Sequence, residues 1–250
     1  MATFRHIFHQ LSEVPDLASP WETPQWVSHI NRYAEKLTHV TFADKARELA
    51  RSVRYGNGLP RTMTPLKGLI RQNGRGPILD IGGGFGDNFI VLRKYLGDTP
   101  YTVVDGAESR RLGRQILGDR VAFQADMPVE GKYGLSIVIG TLQYILDSSS
   151  FISALSKLSS EAVYVSRSPL RKNGDDFYSI QEITPGYEMD SAGESAVLIR
   201  SVENLVKDFS RAGFELADST EIMSYRDQMM SLPEEYRDCA YFNMTFKRRT

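Results

Sequence analysis

The sequence predicts an α/β protein with a mostly parallel β-sheet and helices before it. From Pro77 onward, short β-type runs alternate with helical ones, which is typical of strands joined by crossover helices. The first β-type run leads into a glycine-rich loop. The last two strand-like runs have no helical pattern between them, so they are expected to pair antiparallel. Together these observations predict a seven-stranded sheet whose last strand is antiparallel.

Composition limits the classes of function. The chain has 250 residues with 41% hydrophobic and 24% charged residues and a formal net charge of -1, which is ordinary for one α/β domain with a small cap. Neutralising phosphates requires a basic surface, and the closest candidate is the short tail Lys247–Arg249. We therefore expect no nucleic-acid partner.

Cysteine content and hydropathy indicate the cellular compartment in which the protein is expected. The single cysteine, Cys239, excludes an internal disulfide and a multi-cysteine zinc site. No apolar run approaches the roughly 20 residues needed to span a bilayer, and the start lacks the apolar segment of a secretory signal. We expect a cytoplasmic protein with no membrane partner.

Residues 1–75 are expected to form a helical cap that acts as a substrate lid, ahead of a catalytic domain at 76–250. A first helix begins at Thr23-Pro24, because proline is favoured at the first helical position. A second carries apolar residues over 46–53, and a third begins at Thr64-Pro65 and ends at Asn73-Gly74.

The remaining elements follow in order. The predicted strands are Ile78–Ile81, Tyr101–Asp105, Val121–Ala125, Leu135–Ile139, Ala162–Arg167, Phe214–Thr220 and Tyr241–Lys247. Helices are predicted near 86–97, 107–117 and 147–158, with a further helix capped by Ser201. The insertion 168–199 is expected near the cleft, as irregular chain with a hairpin of Phe177–Ile183 and Ala196–Arg200.

Three consecutive strands end in groups suited to a nucleoside ligand. The first is followed by the loop Gly82–Gly86, where missing Cβ atoms allow a sharp turn and a close ligand approach. Asp105 ends the second strand, 19 residues after Gly86, where a carboxylate can accept both hydrogen bonds from a ribose diol. Asp126 follows the third strand and is expected to accept from an adenine amine, with Met127 against the ring.

The charge near the loop distinguishes two cofactor classes. Asp80 precedes the first glycine by two residues. A carboxylate there would oppose the pyrophosphate of a dinucleotide, but it suits the cationic amino-acid tail of S-adenosylmethionine, directly or through water. The sequence therefore favours S-adenosylmethionine as the cofactor.

The stretch 78–147 resembles motifs I to IV of class I, Rossmann-like methyltransferases. More narrowly, Asp80–Gly84, Leu142–Ile145, Ser166–Pro169 and Ser201–Phe214 resemble a little-characterised bacterial methyltransferase family found in polysaccharide and natural-product contexts. The resemblance implies the fold, the cofactor (with S-adenosylhomocysteine as product) and a cofactor site. That site consists of Asp80, Gly82, Gly83, Gly84, Phe85, Asp105, Gly106, Asp126, Met127, Gly140, Thr141 and Leu142.

The acceptor side is less defined by the sequence. The expected substrate-binding residues are Tyr55, Gln143, Tyr144 and Arg167, and the last two are also the candidates for catalysis. Arg167, at the carboxyl end of a strand, could hold a carboxylate or phosphate, or pair with an acid of the 168–199 insertion. The four histidines show no ligand spacing, so no metal is expected.

Several alternatives stay open at this point. O-methylation of a small metabolite, natural-product intermediate or sugar leads, followed by N-methylation of a small molecule. An NAD(P)-dependent oxidoreductase and a non-catalytic cofactor-binding protein are the other classes. The oligomeric state also stays open, with a homodimer as one alternative.

Overall fold

A ten-stranded β-sheet organises the computed structural model, which describes residues 4–38, 59–72, 76–183, 193–222 and 230–249. The strands are β1 Phe4–Phe8, β2 Ile78–Ile81, β3 Tyr101–Val104, β4 Ala122–Gln124, β5 Tyr133–Ile139, β6 Ser159–Arg171, β7 Phe177–Ile183, β8 Gly193–Ser201, β9 Phe214–Ile222 and β10 Cys239–Arg248. The helices are α1 Pro24–Thr38, α2 Leu59–Gln72, α3 Asp87–Leu96, α4 Ala107–Leu117, α5 Ser148–Leu158 and α6 Val202–Arg211.

Seven strands form the main part of the sheet, in the spatial order β4-β3-β2-β5-β6-β10-β9. The pairs among β2 to β6 are parallel. Strand β10 is antiparallel to both of its neighbours, β6 and β9. The predicted α/β class and the antiparallel last strand are therefore confirmed.

Both faces of the sheet are covered by helices, which is why its central strands are mostly apolar, with the buried Asp80 of β2 as an exception. On one face, Leu66 of α2 and Leu92 of α3 are buried with Ile137. On the other, Leu155 of α5 and Leu205 of α6 are buried. The carboxyl ends of the parallel strands are left to form a cleft.

The remaining strands lie above one end of this sheet. β5 ends its pairing at Ile139 opposite Ser166, while β6 continues to Arg171. The freed edge of β6 pairs instead with β8, through Leu170 and Arg200. The predicted hairpin is confirmed as β7 and β8, and this pairing holds it over the carboxyl end of β5.

The N-terminal prediction was wrong in two places. Residues 4–8 form the strand β1, antiparallel to β7, rather than helix, because a partner 177 residues away in sequence (Phe4 opposite Gln181) specifies the strand. Helix α2 begins at Leu59 and contains Pro65, which was expected at its start. Burial of Leu66 and Leu69 against the sheet offsets the hydrogen bond that proline cannot donate.

Two further predictions concern the chain before the sheet and the division into domains. The predicted helix over 46–53 lies outside the described residues, and the division into a lid and a catalytic domain stays a prediction. Within the described ranges, no helix is long and apolar enough to cross a bilayer.

Candidate active site

A cavity of about 640 Å³ opens at the carboxyl ends of β2, β3, β5 and β6. Its volume is in the range of small-molecule sites. Its lining joins the glycine loop and the β3 end with part of α1, the β5–α5 loop and the end of β7. The lining residues are Trp21, Trp26, His29, Ile30, Tyr33, Ile81, Gly82, Gly84, Phe85, Asp87, Asn88, Val104, Asp105, Gly106, Ser109, Ile139, Gly140, Thr141, Tyr144, Ile145, Arg167, Gln181, Glu182 and Ile183.

The glycine loop requires glycine at its two ends. Gly82 has φ +66°, and a Cβ there would lie 2.1 Å from Oγ1 of Thr141. Gly86 has φ +89° and begins α3 in the left-handed conformation, where a Cβ would lie 2.5 Å from Leu117. Side chains are strained at such φ values, and here a Cβ would also overlap Thr141 of the cavity wall or Leu117 of the core. The loop is therefore a cradle of bare backbone.

Asp105 lies directly after β3 and contacts this loop. Its Oδ2 accepts a hydrogen bond from the Gly84 amide at 2.8 Å, and its Oδ1 accepts from the Gly106 amide at 2.7 Å. A carboxylate has about four lone-pair positions, so two acceptor positions remain. The carboxylate lines the cavity and can still accept from a diol.

Asp80 does not reach the cavity, which corrects the expectation of a contact with the cofactor tail. Its carboxylate is fully buried and accepts hydrogen bonds from the Tyr101 hydroxyl at 2.7 Å and the Asn88 amide at 3.1 Å. A Cβ on Gly83 would lie 2.6 Å from it, so the carboxylate packs beneath the loop. Burial raises the pKa of Asp80 to about 7, and the two hydrogen bonds oppose that rise.

Asp87 is the carboxylate that faces the cavity instead. It is the first residue of α3, and its Oδ1 would lie 2.9 Å from a Cβ on Gly84. Burial raises the pKa of Asp87 to about 6, while its own backbone amide and the nearby Arg167 act to lower it. The sequence analysis missed Asp87, although its place directly after the glycines was a usable signal.

A chain of aromatic rings crosses the cavity from the glycine loop to the β5–α5 loop. Neighbouring centroids lie 5.7 Å apart for Phe85 and Tyr33, 5.5 Å for Trp26 and His29, and 4.8 Å for Trp21 and Tyr144. We call the six rings Phe85, Tyr33, His29, Trp26, Trp21 and Tyr144 the aromatic arc. Its four N-terminal members, Trp21, Trp26, His29 and Tyr33, were missed as site residues, because no local pattern places α1 over the sheet.

Tyr144 and its surroundings are held by the β7–β8 hairpin. The Tyr144 hydroxyl donates to Oε1 of Gln181 at 2.9 Å. Burial raises the pKa of Tyr144 to about 12, and nearby Arg167 acts to lower it. The neighbouring Glu182 pairs with Arg5 of β1 at 3.0 Å. The seventh strand thus contributes Glu182 to the cavity wall, and the first strand contributes the arginine that pairs with it.

Arg167 enters the cavity because the backbone bulges there. Ser166 pairs with Asn243 and Ser168 pairs with Phe242, so Arg167 is the extra residue of the bulge. Its φ of +53° is unusual for a residue with a side chain. Bulges re-aim side chains and are common beside binding sites. Arg167 is exposed and lines the cavity, as expected.

Five other predicted site residues are not part of the cavity lining, namely Gly83, Asp126, Met127, Leu142 and Gln143. β4 ends at Gln124, and the exposed Asp126 and the partly buried Met127 lie beyond it in a separate shallow depression. Leu142 and Gln143 begin a 3₁₀ turn and are buried, whereas Tyr144 on the same turn faces the cavity. Successive side chains on such a turn point in different directions, which explains the division.

Three of the remaining predicted positions lie in the cavity wall. Gly140 and Thr141 line the cavity with Gly106. Tyr55 lies outside the described residues. Among the residues described, no group of three or more His, Cys, Asp or Glu side chains is arranged to hold a metal ion.

Solved structures show what this architecture resembles. No family model and no curated protein sequence matches the chain. Magnesium protoporphyrin IX methyltransferase of Synechocystis PCC 6803, solved with bound S-adenosylhomocysteine, is similar with a TM-score of 0.54 and 14% identity, over 92% of this chain and 97% of the other. The chain has the class I methyltransferase fold.

Two more structures with this methyltransferase fold extend the comparison. The 1,6-didemethyltoxoflavin N1-methyltransferase of Burkholderia thailandensis is similar with a TM-score of 0.51 and 15% identity, over 95% of this chain and 93% of the other. The cyclase SpnF matches with a TM-score of 0.52 and 15% identity, over 74% of this chain and 80% of the other. Since one of these is named as a cyclase, the fold alone does not fix the reaction.

Proposed function

We propose that the protein is an S-adenosylmethionine-dependent methyltransferase acting on a small-molecule acceptor. The observation that carries this proposal is the cradle at Gly82–Gly86, flanked in one cavity by the carboxylates of Asp87 and Asp105. The methyltransferases with this fold whose structures contain S-adenosylhomocysteine support the same cofactor.

The cavity residues match the parts of the cofactor. Asp105 keeps acceptor positions for the ribose hydroxyls, and its bonds to the loop fix its orientation. Asp87 offers a carboxylate to the ammonium group of the amino-acid tail, the role expected of Asp80. Backbone without Cβ atoms at Gly82 and Gly84 lets the ligand approach the loop.

The carboxylate of Asp87 argues against a dinucleotide. A pyrophosphate would occupy the start of α3, where the helix dipole is positive. Asp87 places a negative charge at that point, within reach of the loop. Phosphate oxygens would therefore face a carboxylate that nothing in a dinucleotide neutralises.

Methyl transfer requires alignment and a dry site. When bound, S-adenosylmethionine supplies a methyl group on a positively charged sulfur. The protein contributes by aligning the acceptor atom with this methyl group, since alignment alone can supply effective molarities of about 10⁵ M or more. His29 lines the cavity and is able to take a proton from an acceptor hydroxyl or a protonated amine, so O-methylation stays the leading alternative and N-methylation the second.

Thermal shift tests the proposal directly. S-adenosylmethionine and S-adenosylhomocysteine at a hundred times Kd should stabilise the fold by about 2.7 kcal/mol, which raises Tm by about 5–10 °C for a chain of this size. NAD⁺ and NADP⁺ should not shift Tm. Stabilisation by a nicotinamide dinucleotide alone would contradict the proposal.

A further inference from the structure

We infer that the acceptor is a planar aromatic molecule carrying a carboxylate, held between the aromatic arc and Arg167. This inference rests on the proposed function, because it concerns the part of the cavity that a bound cofactor would not occupy. It names a substrate class and the residues that select it.

The aromatic arc supplies the surface for a flat ligand. It begins at Phe85 beside the glycine loop and ends at Tyr144 above β5, so a molecule beneath it lies between the cofactor cradle and the hairpin. Trp21, Trp26 and Tyr33 are only half-buried, so parts of their rings face the cavity. Aromatic rings gain from offset or edge-to-face contact with another ring beyond simple burial.

The charges divide between the two halves of the cavity. Asp87 and Asp105 lie at the glycine loop, which is the cofactor half. On the other half, Glu182 is paired with Arg5 at 3.0 Å. Arg167 lies on β6, two strands or about 10 Å from β2, and its charge acts on Tyr144 of the acceptor half as well as on Asp87, so it lies where the two halves meet.

Arg167 also has a geometry suited to a carboxylate. The bulge aims it into the cavity at a strained φ of +53°. Strain of this kind persists where the surrounding structure fixes it, often at ligand sites. A guanidinium binds a carboxylate through two parallel hydrogen bonds, which a lysine ammonium does not reproduce.

The two tryptophans of the chain make this testable by fluorescence. Both belong to the aromatic arc, so intrinsic emission reports on this part of the cavity. With S-adenosylhomocysteine present, we would titrate 4-hydroxybenzoate and compare it with 4-hydroxybenzamide, which lacks the charge, and with 4-hydroxycyclohexanecarboxylate, which lacks the ring. 6-Hydroxy-2-naphthoate, followed by calorimetry, tests a larger ring system.

We expect at least one of the two aromatic acids to bind saturably. 4-Hydroxybenzamide should bind at least about tenfold more weakly, because it loses the bidentate charge contact with Arg167. 4-Hydroxycyclohexanecarboxylate should also bind more weakly, because it loses the ring contacts with the aromatic arc. Arg167→Gln and Arg167→Lys should each lose the preference for the acid over the amide and keep their affinity for S-adenosylhomocysteine. Arg211→Gln, at a side chain that is 79% exposed, is the matched control and should behave like the parent.

Three outcomes would overturn the inference. The first is that neither aromatic acid binds while S-adenosylhomocysteine does, which leaves the proposed function standing. The second is equal binding of acid, amide and cyclohexane compound. The third is that Arg167→Gln weakens S-adenosylhomocysteine and leaves the aromatic acids unaffected, which would assign Arg167 to the cofactor tail. Failure of the parent to bind S-adenosylhomocysteine at all would instead remove the proposed function.

Discussion

Asp105 accepts a hydrogen bond from the backbone amide of Gly84, with 2.8 Å between Oδ2 and the nitrogen. The bond joins the end of β3 to the loop after β2, so the carboxylate both shapes the cradle and faces the cavity. Under the proposed function, any change at Asp105 is expected to act on the loop and on a bound ribose together.

The first prediction compares two carboxylates that follow adjacent strands. Asp105→Ala should weaken S-adenosylhomocysteine binding about tenfold or more, because hydrogen bonds to charged groups contribute about 1.5–3 kcal/mol. Asp126→Ala is the control and should bind like the parent, since Asp126 is exposed in a separate depression. Calorimetry on both variants measures the difference. Parent-like binding by Asp105→Ala would place this residue outside the site.

The second prediction concerns Asp87 and the ammonium group of the ligand. Because burial raises the pKa of Asp87 to about 6, S-adenosylhomocysteine affinity should be constant well above pH 6 and fall below it, by at most about tenfold per pH unit. The carboxylate must be ionised to attract a cation. Asp87→Asn should weaken binding at pH 8 and remove this pH dependence.

A ligand without the amino-acid tail provides the control for Asp87. 5′-Methylthioadenosine should bind parent and Asp87→Asn alike, with no loss between pH 8 and pH 5.5. If the two ligands respond identically to the substitution, Asp87 does not hold the tail.

The third prediction uses the buried Asp80. Its folded pKa of about 7 exceeds the ordinary 3.8, so the folded state keeps a proton that the unfolded state loses. The free energy of unfolding should therefore fall as pH rises from about 4 to about 7, by on the order of 4 kcal/mol at most. Asp80→Asn removes this loss.

Urea unfolding at pH 4.5 and pH 8 measures the effect of Asp80. The variant should gain stability relative to the parent on going to pH 8, whereas Asp126→Asn, which removes an exposed carboxyl, should show no such gain. A stability difference between Asp80→Asn and parent that is the same at both pH values would show that Asp80 ionises normally.

The sequence predicts a feature well when that feature depends on residues that are close together in the chain. The glycine loop and Asp105 depend on a strand, a turn and the next strand, all within about 30 residues, which is the span of one βαβ unit. Asp126 lies outside the cavity lining, because β4 ends at Gln124 and the side chain follows two residues later in a separate depression.

The acceptor half depends on contacts between distant parts of the chain. Trp21 meets Tyr144, and Arg5 meets Glu182, each across more than a hundred residues. These pairs follow from β1 joining β7 and from α1 lying over the sheet edge, neither of which leaves a local pattern. Arg167 was predicted from its strand, but the bulge that aims it depends on the register with β10.

The glycine cradle provides the most direct test, by calorimetric titration of S-adenosylhomocysteine into three proteins. Gly82→Ala introduces a Cβ at φ +66° against Thr141, inside the cavity lining. Gly97→Ala is matched in backbone strain, with φ +58°, but nothing lies within 4 Å of its Cβ and it is not part of the lining. The account predicts binding to the parent and to Gly97→Ala, and none to a folded Gly82→Ala. No heat with the parent, or equal affinity in Gly82→Ala, would contradict it.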